Sequence, residues 1–120
     1  MRFYEYPPCS TCQKAKKHLL RYNCDITPYH IKENPPSAEQ LRLWIEKYRM
    51  DVKMFFNTRG ESYRKLNLKE RYDTLSLDEK LTLLSEDGML LKRPILVSEN
   101  RLLLGYNSTQ YDIFIREVQS

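Results

Sequence analysis

Nothing in this chain of 120 residues approaches the roughly 18 consecutive apolar residues that span a bilayer, and Met1 to Tyr6 holds no apolar stretch of the kind that directs secretion. A cytoplasmic protein with no membrane partner is therefore expected. Glycine is scarce, at 3 residues, and this scarcity beside 41% apolar and 30% charged residues excludes disordered and fibrous classes. A long basic run is missing too. The net charge of +4 comes from 20 Lys and Arg against 16 Asp and Glu, interleaved along the chain, so direct nucleic-acid binding is not expected. The cysteine count is odd, at 3, which rules out a fully paired disulfide framework within one chain. In a reducing compartment, close-spaced cysteines point instead to redox chemistry or to metal. There is no repeat, linker or low-complexity segment, and the length suits one hydrophobic core, so a single domain over residues 1–120 is expected.

What the chain does contain is an ordered series of element signals. Arg2 to Tyr6 is aromatic-rich and ends at Pro7-Pro8, which reads as a strand stopped by residues that cannot extend a ladder. Cys12, Ala15, Leu19 and Tyr22 then recur at helical steps, predicting an amphipathic helix that starts near Cys9 or Ser10. Its basic residues Lys14, Lys16, Lys17, His18 and Arg21 read as a solvated face or as an attraction for anionic partners. Ile26 to Ile31 alternates as a second strand would, and Pro35-Pro36 closes it. Ser37 with Gln40, and Ser76 with Glu79, are capping boxes. The first precedes a helix with Leu41, Trp44, Ile45 and Tyr48 on one face, and the second a helix with Leu81 and Leu84 that stops at Gly88. Val52 to Leu68 reads as short helical pieces around a Thr58-Arg59-Gly60 turn, completing a helical insertion over about 37–91. Ile95-Leu96-Val97 and Leu102-Leu103-Leu104 flank Ser98-Glu99-Asn100 as a hairpin. Ser108 is expected to cap a final helix with Tyr111, Phe114, Ile115 and Val118 on its inner face. Strand, helix and strand at the start require a parallel crossover, and the closing hairpin supplies antiparallel pairing. The expected fold class is thus α/β, a thioredoxin-like mixed sheet with an all-helical insertion.

The chemistry concentrates at Cys9-Ser10-Thr11-Cys12. A thiol attacks as its thiolate, and the free N–H groups and dipole of a helix start lower a cysteine pKa. Cys9 takes that position and is the expected nucleophile. Cys12, one turn further in and on the core side, is held protonated by desolvation and is the expected resolving thiol. Two alternatives stay open. A zinc knuckle needs four ligands, and only Cys24, His18 and His30 remain, with no second close pair, so no metal site is assigned. Inert buried cysteines are the other alternative, which leaves the strand, the double proline and the helix start around the motif as coincidence. Cys24 reads as a small core residue, and His18 and His30 receive no role. Pro94, directly before the third strand, is a candidate for a cis bond or an ordinary strand start.

Beyond these readings, the chain resembles the arsenate reductase/Spx family of glutaredoxin-like proteins over almost all of its length. The residues that carry the likeness are Tyr4 to Cys9 as Tyr-x-x-Pro-x-Cys, the Cys9 and Cys12 pair, Glu33 to Ser37, Thr58-Arg59, Leu91 to Ile95 and Leu104 to Asn107. The resemblance implies a reactive Cys9 faced by Arg93 beside a cis Pro94, with no resident cofactor and an external thiol donor, glutathione with glutaredoxin or else thioredoxin. It implies reduction of a small oxyanion such as arsenate, or of a disulfide. The glutathione-dependent arsenate reductases of the family place three arginines around the oxyanion. Arg93 matches one of these, Asn57 and Leu104 stand at the other two positions, and Arg59 is a nearby stand-in for substrate binding. Spx-type regulators share the cysteine pair and the 93–107 region, and imply the alternative of a redox-switched regulator that binds the RNA polymerase α subunit. They carry a glycine where this chain has Arg49-Met50-Asp51, and a basic C-terminal extension beyond the position of Ser120.

Overall fold

Strand β1 (Arg2–Glu5) has neighbours on both sides in a four-stranded sheet of order β2-β1-β3-β4, in a computed structural model that describes residues 1–119. Helix α1 (Ser10–Arg21) carries the chain from β1 to the parallel strand β2 (Thr27–His30), with Phe3 opposite Pro28 and Tyr4 opposite Tyr29. The rings of that last pair stack at 4.9 Å. On its other side β1 pairs antiparallel with β3 (Ile95–Val97), which continues through a hairpin to β4 (Leu102–Leu104). Ser98 closes the hairpin: its N–H donates to the Arg101 carbonyl at 2.8 Å, and its hydroxyl accepts from the Arg101 N–H at 3.1 Å. The expected mixed sheet is present. Two compact units make up the structure, and the sheet belongs to the one formed by Met1–His30 and the chain from Arg93 onward.

Within this unit, α1 and α6 (Ser108–Gln119) cover one face of the sheet. The opposed pair Phe3 and Leu96 meets Ala15 and Leu19 from α1 and Tyr111, Phe114 and Ile115 from α6, with Cys24 beside them. Each large apolar side chain buried this way stabilises the fold by about 1.5–3 kcal/mol relative to exposure. Two details differ from expectation. Ser108 is the first helical residue, and the cap of α6 is Asn107, whose side-chain oxygen accepts from the Gln110 N–H at 3.0 Å. The positive φ of Gly105 (75°), open to glycine without strain, redirects the chain two residues before that cap. Val118 and Tyr22 lie at or beyond the last turns of their helices and are 44% and 43% exposed, not part of the buried face expected of them.

The second unit, Ile31–Lys92, contains the helical insertion. In α2 (Ala38–Tyr48) the Ser37 hydroxyl accepts from the Gln40 N–H, and in α5 (Leu77–Glu86) Ser76 and Glu79 form the complete reciprocal capping box. Short helices α3 (Glu61–Lys65) and α4 (Leu68–Arg71) lie between, after a tight turn of 3-10 helix at Val52–Phe55. The insertion is not wholly helical: Phe56 and Leu91 form an antiparallel bridge. Trp44, Phe55, Phe56, Leu81 and Leu84 fill the interior. Helix α5 runs to Glu86 with Asp87 as its C-cap and stops at Gly88 as expected, and Gly88 also serves close packing, since a Cβ there would collide with the Ile31 carbonyl oxygen. Among the described residues no helix is long and apolar enough to cross a membrane.

Candidate active site

The end of β1 and the start of α1 are joined by Tyr6-Pro7-Pro8-Cys9, a turn in which the Cys9 N–H donates to the Tyr6 carbonyl at 2.9 Å. Neither proline offers an N–H to extend the ladder, so the chain leaves the sheet here and enters the helix. Gln13 holds the turn by donating from Nε2 to the Pro7 carbonyl at 2.9 Å. Cys9 is the N-cap of α1, with extended backbone (φ −74°, ψ 124°), and no side chain caps the helix. The first turn also carries no acidic residue. The donors that a serine or aspartate would satisfy at this position are left to sulfur.

This arrangement separates the two thiols. Partial burial alone would raise the Cys9 pKa, but the N–H groups of Cys12 and Thr11, the Cys12 thiol and the Arg93 charge outweigh it, and Cys9 titrates below the ordinary value. Cys12 is fully buried, and desolvation pushes its pKa up to about 12 despite the Tyr6 N–H that donates to its Sγ at 3.4 Å. The charge of Cys9 adds to the rise. All three cysteines are free thiols. Cys24 lies in the core of the sheet unit, where burial raises its pKa.

Arg93 and Pro94 enter from the far end of the chain, just before β3. Their peptide bond is cis, the geometry the family resemblance implies. The Arg93 guanidinium lies over the Tyr6 ring at 5.7 Å, and its charge lowers the titration of both Cys9 and Cys12. Pro94 is buried, and its carbonyl accepts from the Gly105 N–H at 2.9 Å. Cys9, Cys12, Arg93 and Pro94 therefore belong to one unit. Arg59 is in the other, exposed within the Asn57–Gly60 turn. Among the described residues no three His, Cys, Asp or Glu side chains gather as metal ligands.

His18 does not lie on the solvated basic face expected for it with Lys14, Lys16, Lys17 and Arg21; it is on the buried side of α1. It is 4% exposed, with Nε2 at 2.8 Å from Asp112 Oδ1 and Nδ1 at 2.8 Å from the Tyr106 hydroxyl. Its ring also lies against those of Tyr22, Tyr106 and Tyr111. A signal existed: position 18 follows Cys12 and Ala15 at three-residue steps on the inner stripe of the helix, and a buried polar group requires partners. Those partners lie 88 and 94 residues away, beyond the reach of local pattern.

The ArsC family model matches residues 4–114. The chain is 46% identical over 112 residues to the uncharacterized protein YusI of Bacillus subtilis, covering 93% of this chain and 95% of that one. It is 30% identical over 112 residues to the global transcriptional regulator Spx of Lactiplantibacillus plantarum, covering 93% and 83%. Among solved structures, that of a possible arsenate reductase from Streptococcus mutans superposes with a TM-score of 0.85 at 47% identity, covering 94% and 96%. The mixed four-stranded sheet and its helices thus have the thioredoxin-like architecture of arsenate reductase-like structures.

Proposed function

The chain belongs to the ArsC family, and on that premise we propose that it is a cytoplasmic thiol-dependent reductase in which Cys9 attacks an oxidised substrate and Cys12 resolves the intermediate. The observation that carries this reading is the pair itself: a partly exposed thiol at an uncapped helix start, with a second, buried thiol one turn inside. The Cys9 thiolate attacks one sulfur of a substrate disulfide. The S–S bond breaks, the departing sulfur takes a proton from solvent, and a mixed disulfide forms on Cys9. Cys12 then loses its proton and attacks Cys9 Sγ, releasing the second substrate thiol and leaving a Cys9–Cys12 disulfide. The substrate gains the two electrons that the protein thiols lose, and an external donor, glutathione with glutaredoxin or else thioredoxin, returns them. With arsenate, Cys9 displaces one oxygen as water to form an As–S bond, Cys12 attacks Cys9 Sγ, the As–S bond breaks with its electron pair passing to arsenic, and arsenite leaves; Arg93 would hold the oxyanion.

The test offers hydroxyethyl disulfide or arsenate to the reduced protein, with each donor system in turn. Turnover that is lost in Cys9→Ser, with a trapped mixed disulfide in Cys12→Ser, is the expected result. Wild-type turnover no greater than that of Cys9→Ser would overturn the reading. A second reading is favoured by the relatives named as regulators, Spx and MgsR. In it the same disulfide is a switch for binding the RNA polymerase α subunit, and capture of that subunit by only one redox form, without turnover, would establish it.

A further inference from the structure

Helix α1 and the Arg93–Pro94 segment are far apart in sequence, yet a chain of hydrogen bonds ties them together. His18, two turns beyond Cys12 on α1, is fixed by Asp112 of α6 through Nε2. A carboxylate only accepts, so Nε2 bears the hydrogen in this bond, and in the neutral ring Nδ1 accepts from the Tyr106 hydroxyl at 2.8 Å. Tyr106 follows Gly105, and the Gly105 N–H donates at 2.9 Å to the carbonyl of Pro94. Arg93, whose charge acts on Cys9, immediately precedes Pro94. Tyr111 packs edge-on against Tyr106 at 4.9 Å and tilted against His18 at 5.7 Å, which closes the network from the core side.

From this geometry we infer that His18, Tyr106 and Asp112 are positioning residues that set the placement of Arg93 relative to the Cys9 thiol. The inference rests on Cys9 being the reactive group of the proposed reductase. Burial fixes the ring of His18 where side-chain hydrogen bonds are strongest, and both ring nitrogens are used, so α1 cannot shift against the Gly105–Asn107 segment without breaking one of them. A loosened network lets the Arg93–Pro94 segment drift, and the electrostatic support of the thiolate weakens with distance.

The experiment reads the Cys9 pKa from the pH dependence of iodoacetamide alkylation in the full chain. Tyr106→Phe removes one oxygen and keeps the ring, and Asp112→Ala removes the acceptor on the exposed side of the network. Both are expected to raise the Cys9 pKa by about half a unit, a threefold loss of thiolate below the pKa. Asp112→Asn keeps an acceptor for Nε2–H and is expected to restore the wild-type curve. Phe114→Leu, a core change outside the network, is expected to lower Tm without moving the Cys9 titration. If Tyr106→Phe and Asp112→Ala lower Tm but leave the Cys9 curve in place while Arg93→Ala shifts it, the positioning role is overturned and the proposed function stands. If wild-type Cys9 titrates as an ordinary thiol, both fall together.

Discussion

At the residue scale, Cys9 and Cys12 are the same chemical group in two environments, and their opposite shifts make opposite demands on pH. The Cys12 thiol titrates near 12 when folded against 9.0 in its ordinary state. A folded-state pKa raised in this way contributes stability that is complete below about 9 and is lost as pH climbs toward 12, because the unfolded chain ionises first. The advantage of wild type over Cys12→Ala in urea unfolding should therefore shrink above pH 9, by at most about 1.4 kcal/mol per pH unit. An advantage that stays flat between pH 8 and roughly 10.5 would show that Cys12 ionises freely in the fold. Arg93 makes a different demand. A lysine keeps the charge but loses the planar fork that pairs with an oxyanion. Arsenate turnover in Arg93→Lys should drop more than about tenfold, equal to roughly 1.4 kcal/mol of transition-state stabilisation, with disulfide exchange through Cys9 affected less. Equal losses on both substrates would remove the oxyanion role.

At the element scale, helix ends are where local chemistry and tertiary demand meet. Arg49 ends α2 at φ 54°, the left-handed region, with an exposed side chain. Glycine adopts that conformation without a Cβ clash, so Arg49→Gly should raise unfolding stability by up to about 1 kcal/mol, read as a higher urea midpoint at unchanged slope. Asn107→Ala, which removes the acceptor for the Gln110 N–H, should cost about 1 kcal/mol, read as a lower urea midpoint at unchanged slope. These ends also mark how far the sequence could be read. Apolar periodicity placed α1, α2, α5 and α6, and Ser98-Glu99-Asn100 between two aliphatic triplets marked the hairpin, because both signals are local. The choice between Asn107 and Ser108 as cap was not legible, since both are good caps and the path out of Gly105 decides between them. The thiol pair was legible from spacing and from the double proline before it. The partners of His18 were not, because buried hydrogen bonds across ninety-odd residues leave no local trace.

At the scale of the whole molecule, the sheet unit is assembled from two separated stretches of chain, residues 1–30 and those from Arg93 onward. The central strand β1 gains its antiparallel neighbour only when β3 arrives, and four of the core residues, Leu96, Tyr111, Phe114 and Ile115, come from the second stretch. A chain cut after Lys92 keeps both thiols and the α1 periodicity but lacks that cover, so its Cys12 should alkylate at a rate close to that of Cys9, whereas the full chain should separate the two rates widely. Protection of Cys12 in the cut chain would mean that β1, α1 and β2 shield it unaided. Synthesis runs in one direction, from the N-terminal side. Cys9 and Cys12 therefore leave the ribosome ahead of Arg93 and β3, which follow only after some eighty further codons. If the cut chain behaves as predicted, the nascent chain in that interval carries two ordinary, exposed thiols open to oxidation or to foreign disulfides, and the reducing power of its surroundings, rather than its own fold, has to keep them apart.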